Sequence, residues 1–200
     1  TYNDRIRLIE NGKVSTLANQ SFDTPTGLAV WRDKLLVADT GNRKIRVIEP
    51  DGSVWTLAGN GDAEFKDGLL LSASFVQPTA IAVDKNDSIF VTDGNAIRQI
   101  NVGIISTVQT ITDERRGLKD GAILRTRFNR PSGLAFDTSG DLLVADSENR
   151  VIRRISTQAN SNSNDKRKQA DALSVSAEEF RNAAPPRWPF DPPDAKRDIA

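Results

Sequence analysis

Short apolar runs of four to six residues recur from the start of the chain to about residue 155, separated by Gly, Asn, Asp and Pro. Runs of that length, rich in β-branched residues, predict strands, since a helix needs a longer amphipathic stretch. Three of them begin alike: Phe22-x-x-Pro25-Thr26-Gly27-Leu28-Ala29-Val30, Phe75-x-x-Pro78-Thr79-Ala80-Ile81-Ala82-Val83 and Phe128-x-x-Pro131-Ser132-Gly133-Leu134-Ala135-Phe136, each 53 residues after the last. A second run follows each and closes on an acid, Asp39, Asp93 or Asp146. Then comes a third: Lys44-Ile45-Arg46-Val47-Ile48, Ala96-Ile97-Arg98-Gln99-Ile100 and Val151-Ile152-Arg153-Arg154-Ile155. In the first two units a fourth run completes the set, Val54-Trp55-Thr56-Leu57-Ala58 and Ile104-Ile105-Ser106-Thr107-Val108.

Between third and fourth runs stand Asn11-Gly12, Pro50-Asp51-Gly52 and Val102-Gly103, where Gly can take the backbone of a tight hairpin. Each unit therefore predicts a four-stranded antiparallel meander. One such sheet cannot bury both faces alone, whereas repeated sheets packed face to face in a ring can. The boundaries are a partial blade over 3–18, blades over 22–59, 75–108 and 128–155, and a tail over 156–200. The partial blade matches only third and fourth strands, and the last blade has three. The expectation is that further blades, including the strand closing the last one, lie upstream of Thr1, and that the isolated arc exposes sheet edges prone to association.

Pro131-Ser132-Gly133-Leu134-Ala135-Phe136-Asp137, Val144-Ala145-Asp146 and Asn149-Arg150-Val151-Ile152-Arg153 resemble the NHL repeat, whose pattern is Pro-x-Gly-Ile-Ala-Val-Asp, then Val-Ala-Asp, then Asn-Arg-x-Ile-Arg. The unit from Pro25 matches nearly as well. The unit from Pro78 departs, with Ala80 for Gly and a turn, Asp93-Gly94-Asn95-Ala96, two residues shorter. The resemblance implies an all-β chain, an incomplete arc of an NHL-type β-propeller with about three to four four-stranded antiparallel blades, followed by an irregular Pro-rich tail. It implies in turn a non-catalytic binding or scaffold module presenting inter-blade loops to a protein, peptide or glycan partner. Related propellers that are lactonases or a peptide-amidating lyase supply an alternative reading as a hydrolase or lyase. Those resemble metal enzymes whose ligands find no match here.

Composition narrows the chemistry. Lys plus Arg equals Asp plus Glu at 27 each, so no overall field draws nucleic acid or an anionic membrane, and any charged partner must meet a local patch. The chain has no Cys and no His, which removes disulfides, thiolate nucleophiles, the commonest general base and the commonest transition-metal ligand. No catalytic residue, metal or cofactor is expected. No apolar run approaches the roughly 20 residues that span a bilayer, and Thr1-Tyr2-Asn3-Asp4 lacks the regions of a signal peptide. A Thr start and the absence of Met read as part of a longer protein.

From Thr157 onward Asn, Ser, Asp, Lys and Pro dominate, a composition that cannot order itself by burial. Within it Asp171 to Asn182 predicts a short helix capped at Ser176, with Glu179 three residues on. Arg187-Trp188-Pro189-Phe190-Asp191-Pro192-Pro193, with Arg197-Asp198-Ile199-Ala200 behind it, is similar to the lead-in of some bacterial lysostaphin-like zinc metallopeptidase domains. That resemblance implies a bacterial cell-envelope parent, periplasmic or secreted, whose peptidase begins after residue 200. A Pro-rich linker packed on the propeller is the alternative.

Asp39, Asp93 and Asp146 recur once per blade, either as oxygen ligands ringing a cation or as structural acids paired with Arg46, Arg98 and Arg153; the structural role is favoured. A binding site should break the repeat, since function needs one location while stability uses all. The connection holding Asn60 to Gly68 is echoed by Lys119-Asp120-Gly121, but with different content: Arg115, Arg116, Lys119, Arg125, Arg127 and Arg130 form a basic cluster able to meet an anionic glycan, peptide or RNA. Asp113, Glu114 and Asp120 stand beside them, so solvated loop charge is the simpler expectation. Trp31 is a candidate blade-end aromatic for stacking on a ligand, and Trp55 is assigned to the core.

Overall fold

The computed structural model describes residues 3–18, 20, 22–156 and 175–176. The partial unit is a hairpin, β1 (Arg7–Glu10) against β2 (Lys13–Thr16). The first full blade is the meander β3 (Pro25–Trp31), β4 (Lys34–Asp39), β5 (Lys44–Ile48) and β6 (Val54–Ala58). The middle blade contains β7 (Gly68–Leu69), β8 (Pro78–Val83), β9 (Ile89–Asp93), β10 (Ala96–Asn101) and β11 (Thr107–Thr110). The last contains β12 (Gly133–Phe136), β13 (Leu142–Asp146), β14 (Val151–Ile155) and β15 (Val175–Ser176). Every pairing is antiparallel. No helix among the described residues is long and apolar enough to cross a membrane.

Alternating side chains on the first full blade and the middle blade enter two different cores, because each of these sheets is covered on both faces. In β4, Val37 joins Ile6, Phe22 and Ile48 against the partial blade, while Leu36 and Ala38 join Ile81, Ile89 and Val91 of the middle blade. Ile97, Phe128, Leu142 and Val144 make the corresponding core between the middle and last blades. The repeat thus builds a stack of blades, the propeller arrangement.

The inner strands β3, β8 and β12 lie side by side and line a cleft of about 330 Å³. Their approach is backbone to backbone: a Cβ on Gly27 would sit 2.2 Å from the Thr79 carbonyl oxygen. Thr26 donates its hydroxyl to that same carbonyl (2.9 Å), and Thr40 donates to the carbonyl of Pro78 (2.7 Å).

Three expectations change at strand level. The fourth strand of the middle blade begins at Thr107, not Ile104; Ser106 Oγ bonds both the N–H and the carbonyl of Gly103, holding a turn that leaves Ile104 and Ile105 in solvent. That blade also has five strands, because Gly68–Leu69 of the incoming connection pairs with β11. In the last blade the place beside β14 is taken by Val175–Ser176, from the tail, where a strand upstream of Thr1 was expected. These two residues are strand, not helix; the rest of the expected helix and the 187–200 segment lie outside the described residues.

Candidate functional site

The three repeat acids end the second strand of each blade, and each accepts a main-chain N–H from the segment entering the first strand: Asp23 to Asp39 (2.7 Å), Gln77 to Asp93 (2.6 Å) and Asn129 to Asp146 (2.8 Å). Each also takes a guanidinium from the third strand, Arg46 at 3.3 Å, Arg98 at 3.0 Å and Arg153 at 3.2 Å. The guanidinium lies over the ring that opens the same repeat, Phe22, Phe75 or Phe128. Each carboxylate therefore has a cation and an N–H as partners. Asp39 and Asp146 gain a further donor from Asn42 and Asn149 (2.9 and 2.8 Å). The shortened turn leaves Asp93 without that amide, and burial pushes its carboxyl up to about 6 against the opposing pull of Gln77 N–H and Arg98.

Two of these arginines also hold the connection entering their blade. Arg98 donates to the carbonyls of Ser74 and Lys66 (both 3.0 Å) and to the Asp67 carboxylate (2.8 Å). Arg153 donates to the carbonyls of Arg127 (2.5 Å) and Lys119 (2.8 Å) and to the Asp120 carboxylate. The inter-blade connections 60–74 and 113–127 are thus pinned by main-chain bonds to buried cations, and bridges Lys66↔Ser74 and Lys119↔Arg127 close each loop on itself.

Pinning the backbone fixes the frame from which the exposed loop side chains project. Within the basic cluster, Arg115 grips Asp113 through Nε (2.9 Å) and Nη2 (2.6 Å), and Arg127 Nε adds a third bond at 2.9 Å. The Arg115 guanidinium and N–H, with Arg127, hold the Asp113 carboxyl well below the usual carboxylate range. Arg116, Lys119 and Arg125 are exposed, with no side-chain ion pair among the described residues. Arg130 stands outside the loop at the entry to the last blade, its N–H bonded to Asn95 Oδ1 (3.2 Å). Five of the six sequence candidates therefore share one loop, and three of them carry unpartnered charge.

The tryptophans exchange roles. Trp31 is 4% exposed, packed in the core between the first and middle blades with Arg32 over its ring, and offers no stacking face. Trp55 is 39% exposed and donates Nε1 to Glu49 (2.7 Å), which also holds Lys34. Composition could not distinguish the two: Trp31 ends the inner strand β3 within the core, whereas Trp55 lies on the outer strand β6, opposite the buried Val47, and what covers each is set by the neighbouring blade. Sequence reasoning also passed over Leu118, Ile123 and Leu124, exposed apolar residues within the basic loop. Among the described residues no group of three or more His, Cys, Asp or Glu is placed to hold a metal ion.

The NHL repeat family matches residues 128–150. The chain is 26% identical over 154 residues to Protein SUPPRESSOR OF QUENCHING 1, chloroplastic, of Arabidopsis thaliana, covering 70% of this chain and 15% of that protein. It is 31% identical over 116 residues to NHL repeat-containing protein 2 of Homo sapiens, covering 54% and 15%. A structural genomics protein of unknown function from Bacteroides thetaiotaomicron superposes with a TM-score of 0.67 at 22% identity, over 76% of this chain and 42% of that one. The fold is also shared by a virginiamycin B lyase from Staphylococcus aureus (TM-score 0.54, 18% identity, 77% and 46% covered) and an auxiliary nutrient binding protein from Bacteroides thetaiotaomicron (0.63, 17%, 76% and 43%). The chain spans about 15% of the length of each of these two relatives.

Proposed function

We propose that this chain, an arc of NHL-type propeller blades, is a non-catalytic binding module that presents its inter-blade loops to a protein, peptide or glycan partner. The observation that carries the reading is the anchoring of loops 60–74 and 113–127 by Arg98 and Arg153: the buried cations hold main-chain carbonyls, so the outward side chains stand on a fixed frame. Such preorganisation lowers the ordering cost of association. The solved neighbours of this fold include both a lyase and a binding protein, at identities that speak to fold alone. The binding reading draws instead on the loop geometry.

The purified chain, probed on glycan and peptide arrays beside an Arg115→Glu/Arg116→Glu variant of unchanged circular dichroism, should retain a defined set of ligands that the variant loses. An identical bound set for both proteins would overturn the reading. Calorimetry with divalent cations tests the hydrolase or lyase alternative, which needs a bound metal.

A further inference from the structure

Loops 60–74 and 113–127 occupy the same place in successive repeats, are pinned by the same arginine, and carry opposite charge. The first has Lys66 against Asp62, Glu64 and Asp67; the second has Arg115, Arg116, Lys119, Arg125 and Arg127 against Asp113, Glu114 and Asp120. In the second loop Asp113 and Asp120 are already held by arginines, leaving Arg116, Lys119 and Arg125 facing solvent with Glu114. Leu118 and Leu124 stand among them, 62% and 69% exposed, on a loop closed by the Lys119↔Arg127 bridge and a short 3₁₀ turn at Ile123–Arg125.

The chemistry selects the partner. Bases stack on aromatic rings and sugars commonly do, whereas this loop carries no aromatic residue and its apolar groups are aliphatic. Exposed leucines flanked in sequence by unpartnered cations complement carboxylates interspersed with leucine or phenylalanine. We infer that loop 113–127 docks an acidic, leucine- or phenylalanine-bearing peptide segment of a partner protein, with Leu118 and Leu124 in apolar contact and Arg116, Lys119 and Arg125 meeting its carboxylates. This rests on the binding-module reading and adds the class of partner. The opposite charge of loop 60–74 excludes that loop from the same role.

The full chain is panned against a random-peptide display library, and enriched peptides are titrated by fluorescence anisotropy at low and high salt. Leu118→Ser/Leu124→Ser and Arg116→Glu/Arg125→Glu alter exposed positions, and Leu71→Ser in the other loop is the control. Enriched peptides should combine Asp or Glu with Leu, Ile or Phe, bind more weakly in high salt, and lose about tenfold or more in affinity with either double variant but not with Leu71→Ser. Enrichment of peptides without acids, or indifference to the Leu118→Ser/Leu124→Ser change, overturns the inference. So does tighter binding of heparin, single-stranded RNA or phosphatidylserine vesicles that ignores the leucines; in these cases the binding-module reading stands. Absence of any ligand across all probes overturns both.

Discussion

Asp93 and Arg98 lie 3.0 Å apart with neither side chain exposed, in the blade whose shortened turn aims Asn95 at Arg130 rather than giving the acid the asparagine amide that Asp39 and Asp146 receive. The pair that closes the middle blade is therefore the least supported of the three. Arg98 nevertheless does the most, since the same guanidinium holds Ser74, Lys66 and Asp67.

The raised carboxyl of Asp93, about 6, makes a pH prediction whose sign is opposite to that of an ordinary ion-paired acid. A folded-state pKa above the unfolded value of about 3.9 means that the native chain holds a proton the unfolded chain has released. Ionised Asp93 therefore costs native stability at neutral pH, and that cost fades as pH falls through 6 and is gone below about 4. Urea unfolding of the wild type and Asp93→Asn from pH 7.5 to 4 should show the difference moving in favour of the wild type by up to about 3 kcal/mol. A constant difference across that range would contradict it. Asp113, held low, behaves the other way, its stabilisation present above about pH 4 and declining below.

Arg153 is nearly as buried as Arg98, and its loss leaves Asp146 without its cation. Arg153→Met should lower stability by about 3–5 kcal/mol, as removal of one partner of a buried pair does. Hydrogen exchange provides the specific readout: the Arg127 amide, bonded to the Lys119 carbonyl at 3.0 Å, should exchange faster along with the rest of loop 113–127. Arg115→Gln, at a side chain 72% exposed, should change stability by less than about 1 kcal/mol.

At Gly27 two blades approach backbone to backbone. Gly27→Ala places a methyl 2.2 Å from the Thr79 carbonyl, so β3 and β8 must separate, at a cost of about 1–3 kcal/mol. Gly133 holds the equivalent repeat position, but a methyl there meets only Ala145 Cβ, at 3.1 Å, in its own blade. The Gly133→Ala loss should be clearly smaller in the same thermal melts, and equal losses would mean that blade contact is not what the glycine serves.

The repeat made the blades readable because Pro25, Pro78 and Pro131 fix three registers at once, and with them the pairing of Asp39, Asp93 and Asp146 with Arg46, Arg98 and Arg153. What it hid depends on contacts far apart in sequence or on local shifts of register. A bulge between Ile45 and Arg46 shifts the pairing of β5 with β6 beyond Thr56, leaving Leu57 as the extra residue, and no sequence period reveals it. Strands of two residues, such as Gly68–Leu69 and Val175–Ser176, carry no periodicity and exist only because a neighbouring edge accepts them. The basic loop was visible as charge, but Asp113 bound by two arginines and Leu118 turned to solvent were not.

Phe65 and Leu118 occupy one repeat position 53 residues apart, and the length of the facing turn decides where each points. In the middle blade the short turn puts Gly94 beside the Phe65 ring, where a Cβ would lie 3.0 Å from Cζ, and the ring also approaches Arg98. In the last blade the longer turn brings Asn149 Nδ2 to the carbonyl of Gly117 (2.9 Å), and Leu118 faces solvent. The former is packing and the latter is surface. Phe65→Ala should therefore cost about 1–3 kcal/mol in urea unfolding, whereas Leu118→Ser should stay within about 0.5 kcal/mol. A large loss from Leu118→Ser would assign that side chain to stability and remove it from any binding role; a small one, beside a costly Phe65→Ala, separates the two loops into one that braces the blade and one left free to meet a partner.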